Sequence, residues 1–260
     1  MRVLYPSDPF NKKVPDESYQ EEYDAAVAIG LNCSLFSSED FELGTFQPFP
    51  TFEEKEDILY RGWMLGVQRY AQLCKSIISK GGKPLTSPQD YQQCHHLPGW
   101  YELCKNFTPE TIFLQKDSNF VESLAGLNWP GYFVKDYVKS LTTTRGSVAK
   151  APEEVAEVVS LIESYRGKIE GGVCIRRFEE LLPESEERYF VFHNRAYARD
   201  GKIPELVQHI AKLVSCPFFS VDVVLSKDGT LRLIELGDGQ VSDRKQWPAD
   251  RFVKMLRVGS

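Results

Sequence analysis

Apolar positions along this chain recur with two different periods, which predict a mixture of helices and strands. A stripe at helical spacing predicts a helix over residues 57–80, ended by the glycine pair that follows it. A second helix is predicted to begin at Pro152 and to end at Gly167. Short apolar runs bounded by turn residues predict strands, among them residues 111–114, 132–138 and 172–178.

The clearest local signal is a hairpin near the end of the chain. Two apolar strands, Phe218 to Leu225 and Leu231 to Leu236, flank a turn centred on Asp228-Gly229. Pairing the strands about that turn places Asp222 opposite Glu235, with their Cβ atoms roughly 5 Å apart. Two carboxylates facing each other among apolar neighbours need a compensating positive charge, and Mg²⁺ is commonly held by one or two carboxylates.

The order of the elements predicts an α/β (α+β) fold. Helices and strands alternate through the chain, and antiparallel hairpins are concentrated in its C-terminal half. A second hairpin is predicted around His193-Asn194. The C-terminal half is therefore interpreted as a layered α+β catalytic part, and the N-terminal part as a small α/β domain.

Composition narrows the functional classes. The formal net charge of −6 argues against a general nucleic-acid binder, although it leaves a local basic groove open. No apolar run approaches the roughly 20 residues that span a membrane. The N-terminus reads as a strand rather than as a signal peptide. We expect a cytoplasmic protein whose six cysteines are reduced.

Several basic residues are candidates for binding an anion. Lys135 lies within an apolar strand, where it either contacts a phosphate or extends to water from an edge strand. The loop 139–147 contains Lys139, three threonines and Arg145, and it either closes over phosphates or is a plain mobile loop. Arg176 and Arg177 end another apolar strand, which is suited to offer backbone hydrogen bonds to an adenine and positive charge to phosphates.

These motifs, in this order, resemble the ATP-grasp superfamily. The resemblance covers residues 110–245, and the most similar clade includes cell division cycle protein 123 and its bacterial and phage relatives. The segments that carry it are Leu127-Asn128-Trp129-Pro130 with Lys135-Asp136, Glu187-Arg188-Tyr189-Phe190-Val191, Val221-Asp222-Val223, and Ile234-Glu235-Leu236-Gly237-Asp238-Gly239-Gln240. Each motif is short, so the specificity of the resemblance lies in their order and spacing.

The resemblance implies a fold in which two α+β subdomains enclose ATP. It implies domains at residues 1–108, preceding the ATP-grasp part, and 109–260, with subdomains of about 109–170 and 171–260. Phosphate contacts are implied for Lys135, for a second lysine that is either Lys139 or Lys150, and for Arg145 and Arg188; the adenine hinge is implied at Cys174, Ile175, Arg176 and Arg177, and a ribose contact at Glu179.

The metal site implied by the resemblance contains Mg²⁺ held by Asp222 and Glu235. Many family members carry Asn two residues after the metal-binding Glu, whereas this chain has Gly237 there. Asp238 or Gln240 is the candidate third ligand. Lys135 and Arg188 are the implied catalytic residues.

The activity implied by the resemblance is an ATP- and Mg²⁺-dependent carboxylate–amine ligase. Such an enzyme phosphorylates a carboxylate and lets an amine or similar nucleophile attack the acyl phosphate, with a peptide or protein among the candidate substrates. Two alternatives stay open: an ATP-binding assembly factor for a protein partner, and a nucleotidyl- or phosphotransferase acting on RNA. The substrates themselves are not specified by the sequence.

Overall fold

The computed structural model describes residues 1–257 and divides into two compact units. The first unit comprises Met1–Cys94, Arg188–Val221 and the chain from Gly237 onward. The second comprises His95–Glu187 and Asp222–Leu236. The predicted domain boundary near residue 108 falls inside the second unit, and the predicted domain boundaries stay a prediction.

The first unit contains a parallel sheet in the order β2-β1-β3-β4. Its strands are β1 (Arg2–Pro6), β2 (Asn32–Phe36), β3 (Asp57–Tyr60) and β4 (Lys83–Pro84). The helices around it are α1 (Gln20–Ala28), α2 (Ser38–Glu42), α3 (Val67–Ser79) and α4 (Pro88–His95).

The predicted helix over residues 57–80 is wrong in its first part. Ile58 and Leu59 lie in β3, which pairs in parallel with β1, and the helix α3 begins only at Val67. A strand buried within a parallel sheet is a continuous apolar run, and periodicity alone does not separate it from a buried helical segment. The predicted stop is at the right place, because Gly81 adopts φ +86° after the last turn.

The second unit contains an antiparallel sheet in the order β5-β8-β6-β7. Its strands are β5 (Thr111–Leu114), β6 (Tyr132–Asp136), β7 (Val148–Ala149) and β8 (Val173–Arg177). Helices α5 (Leu97–Cys104), α6 (Phe120–Ser123) and α7 (Val155–Arg166) accompany it. The apolar stripe of α7 is buried against this sheet at Val155, Val158, Val159 and Ile162, and Gly167 ends the helix at φ +77°.

A third sheet has the order β10-β9-β11-β12. Its strands are β9 (Glu187–Phe192), β10 (Arg195–Tyr197), β11 (Phe218–Leu225) and β12 (Leu231–Asp238). The turn between β9 and β10 has positive φ at both His193 and Asn194, as a type I′ hairpin requires. Helix α8 (Glu205–Leu213) precedes β11, and α9 (Ala249–Arg257) follows β12.

The hydrophobic core of the first unit draws on distant parts of the sequence. One buried cluster joins Tyr5 and Leu35 to Phe190, Phe218 and Phe252. Helix α9 packs against α1 in this cluster. The mixed α+β fold class predicted from the sequence is confirmed. Among the described residues, none of the helices has the length and apolar character needed to cross a membrane.

Candidate functional site

A cavity of about 610 Å³ opens within the second unit. Its wall includes side chains from β6, β8 and β12 and from the segment after β8, among them Lys135, Arg176, Arg177, Glu179 and Glu235. A cavity of this size is in the range of small-molecule sites. Five residues singled out from the sequence therefore line one cavity.

Lys135 is buried in the middle of the sheet. It lies directly opposite Cys174 on β8 and is only 5% exposed. Its Nζ lies 3.4 Å from Oε1 of Glu235 on β12. An edge-strand lysine reaching to water does not fit this burial, so the alternative interpretation of Lys135 is wrong.

Arg176 is a second buried cation in the cavity wall, also 5% exposed. Its Nη1 donates to the carbonyl of Ile234 at 2.8 Å, and its Nη2 donates to Oγ1 of Thr108 at 2.5 Å. Its Nε is buried and has no hydrogen-bond partner. Burial lowers the pKa of this guanidinium to about 10, because the charged form is deprived of water.

Lys135 and Arg176 extend from the same face of the sheet. Lys135 is opposite Cys174 and Arg176 is opposite Phe133, and alternate residues of a strand share a face. With Glu235 these side chains carry one net positive charge in a place where unpaired charge is costly. An anionic ligand in the cavity would offset that cost.

The hairpin of β11 and β12 forms where the sequence predicts it, but its loop is not centred on the pair Asp228-Gly229. Gly229 N–H donates to the carbonyl of Ser226, and Ser226 N–H donates to the carbonyl of Thr230, both at 2.9 Å. The loop therefore has three residues, with Gly229 at φ +85°. At the turn, Ser226 faces Thr230 rather than Leu231.

At the other end of this hairpin, one backbone hydrogen bond fits the predicted register. Gly239 N–H donates to the carbonyl of Phe218, and Ser220 faces Gly237. Asp222, on β11, is only 2% exposed, and its pairing with Glu235 stays a prediction.

Asp238 lies in the first unit and is fully buried. Its Oδ1 accepts hydrogen bonds from the backbone N–H and the Nε2 of Gln240, at 3.0 and 3.1 Å. Its Oδ2 has no hydrogen-bond partner, and burial raises the pKa of this carboxyl to about 7. The two candidates for a third metal ligand, Asp238 and Gln240, are therefore bonded to each other.

The backbone of the predicted adenine hinge is enclosed by its sheet. Cys174 to Arg177 pair with β5 on one side and with β6 on the other, and the side chains of Cys174 and Ile175 are fully buried. Beyond the strand, Phe178 N–H donates to the carbonyl of Gly131 at 2.9 Å. We therefore expect the backbone groups that face the cavity to lie after Phe178, whereas the resemblance implies an adenine hinge at residues 174–177.

Glu179, the predicted ribose contact, lines the cavity but has a partner within the protein. Arg232 of β12 donates from Nε and Nη2 to its two carboxylate oxygens, both at 2.8 Å. Bidentate pairs of this kind hold both side chains in a fixed geometry.

The remaining basic candidates contact other parts of the protein. Arg188 lies in the first unit, where its Nη1 donates to the carbonyl of Asp243 at 3.1 Å. Arg145 donates to the carbonyl of Val148 at 2.6 Å and lies 3.4 Å from Glu154. Lys139 is exposed, as is the alternative second lysine, Lys150.

Two residues of the site were not assigned from the sequence. Thr108 bridges Arg176 to β12, because its Oγ1 also donates to the carbonyl of Leu233 at 2.8 Å. Asp136 accepts from the backbone N–H groups of Val138 and Lys139 and so fixes the chain just after Lys135. An Asp before a turn signals the second of these roles, whereas no local signal reveals the first.

Comparison with known families identifies the chain. The model of the ATP-grasp domain, R2K clade family 3, matches residues 115–256. The chain belongs to this ATP-grasp family. The predicted ATP-grasp superfamily is thereby confirmed, whereas the likeness to cell division cycle protein 123 stays a prediction.

Solved structures of ATP-grasp ligases have a similar fold. D-alanine–D-alanine ligase from Bacillus anthracis has 12% identity and a TM-score of 0.64, with 99% of this chain and 95% of that chain covered. The ATP-grasp ligase PsnB complexed with minimal precursor, Mg and ADP has 12% identity and a TM-score of 0.62, with 99% and 96% covered. The macrocyclase MdnC bound with precursor peptide MdnA, from Microcystis aeruginosa, has 13% identity and a TM-score of 0.60, with 99% and 100% covered. No curated protein sequence matches the chain.

Proposed function

We propose that this ATP-grasp protein is an ATP- and Mg²⁺-dependent ligase that activates a carboxylate as an acyl phosphate and joins it to an amine or similar nucleophile. The observation that carries the proposal is the pair of buried cations, Lys135 and Arg176, beside Glu235 in one cavity. A nucleotide polyphosphate would compensate these buried positive charges, and the chain belongs to a family of ATP-grasp domains.

In this proposal Lys135 binds the phosphates of ATP. Lys135 lies opposite Cys174 in the sheet and its ammonium lies 3.4 Å from Glu235, so it is oriented before the nucleotide arrives. A compact charge fixed in a site of low polarity binds an anion more strongly than the same charge in water. The backbone after Phe178 is the proposed hydrogen-bonding edge for the adenine.

Asp222 and Glu235 fit a divalent cation by their chemistry. Hard carboxylate oxygens suit Mg²⁺, and Asp222 is a charged group on an otherwise apolar, buried strand. When bound, the metal would neutralise negative charge that develops on the phosphates. We leave Asp238 out of the proposed metal shell, because its Oδ1 is bonded to Gln240 and it lies in the first unit.

The chain's own contribution to the chemistry is positioning and charge. The substrate carboxylate oxygen attacks the γ-phosphorus and ADP leaves; the amine then attacks the acyl carbon and phosphate leaves. Lys135 stabilises the negative charge of the transferring group throughout, which requires no nucleophilic side chain. Arg188 is kept as the proposed second cation for the transferred phosphoryl group.

We propose a peptide or protein as one of the two substrates. The support is the fold shared with MdnC and PsnB, whose structures contain a precursor peptide or a minimal precursor. The fold shared with D-alanine–D-alanine ligase keeps a small amino acid as the competing candidate.

The decisive experiment measures ATP binding by calorimetry and the products of ATP turnover with candidate acceptors. Lys135→Met should weaken ATP binding by at least tenfold, since it removes a buried charge from the phosphate site. Lys116→Met is the matched control, because Lys116 pairs with Glu163 on the exposed surface of the same unit and should leave binding unchanged.

Product analysis separates the candidate functions. A ligase releases ADP and phosphate, whereas a nucleotidyltransferase releases pyrophosphate, and an assembly factor binds ATP with slow or no turnover. Unchanged ATP affinity in Lys135→Met, or pyrophosphate as the product, would contradict the proposal.

A further inference from the structure

Arg176 joins three separate segments of the second unit through one guanidinium group. It extends from β8, contacts Thr108 in the segment before β5, and reaches the carbonyl of Ile234 on β12. Ile234 immediately precedes Glu235, the proposed metal ligand and the partner of Lys135. Resting on the proposed function, we propose that Arg176 is a positioning residue that sets the place of the Glu235 carboxylate through the backbone of β12.

The hydrogen bonds fix two successive carbonyl groups of β12. Arg176 binds the carbonyl of Ile234 directly, and it binds the carbonyl of Leu233 through the hydroxyl of Thr108. Leu233 N–H donates to the carbonyl of Phe107 at 2.8 Å, so both backbone groups of Leu233 are bonded to the segment that contains Phe107 and Thr108. The backbone before Glu235 is therefore held at three polar groups, the N–H and carbonyl of Leu233 and the carbonyl of Ile234.

These contacts hold Arg176 in place within the protein. One N–H of each Nη group donates to a protein oxygen, so the guanidinium is fixed against β12 and Thr108 before any ligand binds. Lys135, by contrast, meets a carboxylate at 3.4 Å and keeps the geometry of a point charge. In this proposal Lys135 contacts the ligand, and Arg176 holds the backbone of β12 in place.

The test compares three variants of the full chain: Arg176→Met, Thr108→Val and Lys135→Met. Calorimetry measures ATP affinity with and without Mg²⁺, and the Mg²⁺ concentration that gives half-maximal nucleotide binding. Arg176→Met should raise that Mg²⁺ concentration by about tenfold and change metal-free ATP affinity by less than about threefold. Lys135→Met should weaken ATP binding under both conditions.

A second readout uses the protein without nucleotide or metal. Hydrogen exchange of residues 231–236 should become faster in Arg176→Met, and to a smaller degree in Thr108→Val, while exchange in β5 stays as in the unchanged protein. Thr108→Val keeps the shape of the side chain and removes only its hydroxyl, so it tests the bridge if Arg176→Met does not fold.

Three outcomes overturn the inference. Equal losses of metal-free ATP affinity in Arg176→Met and Lys135→Met would make Arg176 a phosphate ligand. An unchanged Mg²⁺ requirement in Arg176→Met, or in Thr108→Val where the first variant does not fold, would leave Arg176 with a purely structural role. Failure of the unchanged protein to bind ATP would instead refute the proposed function, which keeps the two conclusions separate.

Discussion

At the scale of single residues, Glu235 is the acidic side chain of the cavity that contacts a buried cation. Its carboxylate lies 3.4 Å from the buried ammonium of Lys135, and the backbone just before it is held by Arg176. Asp222, on the neighbouring strand, is also buried. Removal of either carboxylate is therefore expected to affect the proposed metal binding, and removal of Glu235 also breaks its contact with Lys135.

Asp222→Asn and Glu235→Gln should both weaken binding of Mg²⁺-ATP by at least tenfold, because each removes a proposed ligand charge. Without nucleotide, Glu235→Gln should also lower the free energy of unfolding by about 1 kcal/mol, since Lys135 loses a charged partner. Calorimetry and urea denaturation measure the two effects, and full ATP turnover in both variants would refute the metal assignment.

The sequence allows some of these residues to be predicted and hides others for a clear reason. Lys135 and Asp222 stand out because a charge interrupts an apolar strand, which is a local signal. The bridge from Arg176 through Thr108 to Leu233 joins residues far apart in the chain, so no spacing reveals it. Asp238 has the local pattern of a ligand, yet folding buries it beside Gln240.

At the scale of elements, the turn before β8 determines how that strand enters its sheet. Gly171 adopts φ +77°, and a Cβ at this position would lie within the ring of Tyr137. The following residue, Gly172, is also packed against Tyr137. The turn therefore requires glycine for two independent reasons, backbone conformation and lack of space.

Gly171→Ala should lower the free energy of unfolding by about 3 kcal/mol, the sum of a left-handed backbone cost and overpacking. Gly167→Ala is the matched control: it has the same φ of +77° but nothing within 4 Å of the added Cβ, and should cost about 1 kcal/mol. Urea denaturation of the two variants measures the difference. Equal destabilisation would mean that the contact with Tyr137 contributes nothing.

Element prediction succeeded where a boundary signal accompanied the pattern. Gly167 after α7 and His193-Asn194 between β9 and β10 mark their elements locally, and both elements are present in the structure. The residues of β3 were wrongly predicted as part of a helix. Their burial comes from pairing with β1, and no local sequence signal reveals that pairing. The three-residue loop between β11 and β12 was also not predicted, because Asp228-Gly229 marks the place of the turn but not its exact length.

At the scale of the whole molecule, the first unit is assembled from three stretches of sequence. Its core brings Tyr5 and Leu35 together with Phe190, Phe218 and Phe252. Hydrophobic contacts between segments so far apart cannot be predicted from periodicity. The family and the fold class could be predicted, because ordered motifs and alternating elements are properties of the linear sequence.

A fragment of residues 109–260, the predicted catalytic domain, should therefore fail to fold cooperatively. Without residues 1–108 the aromatic side chains of Phe190, Phe218 and Phe252 lose the partners that bury them. Circular dichroism in the near ultraviolet and urea denaturation, with the full chain as control, measure the effect. A cooperative transition with a native aromatic signal would show that the fragment folds without those partners.

All six cysteines of the protein are free thiols, and all are buried. Cys104 and Cys174 lie in the second unit, and the other four lie in the first. A thiol inside a packed core reacts with an alkylating reagent only when the surrounding structure opens. The natural sequence therefore contains its own reporters of local opening. Mass spectrometry of the alkylated peptides would show which unit opens first, with no substitution or added label.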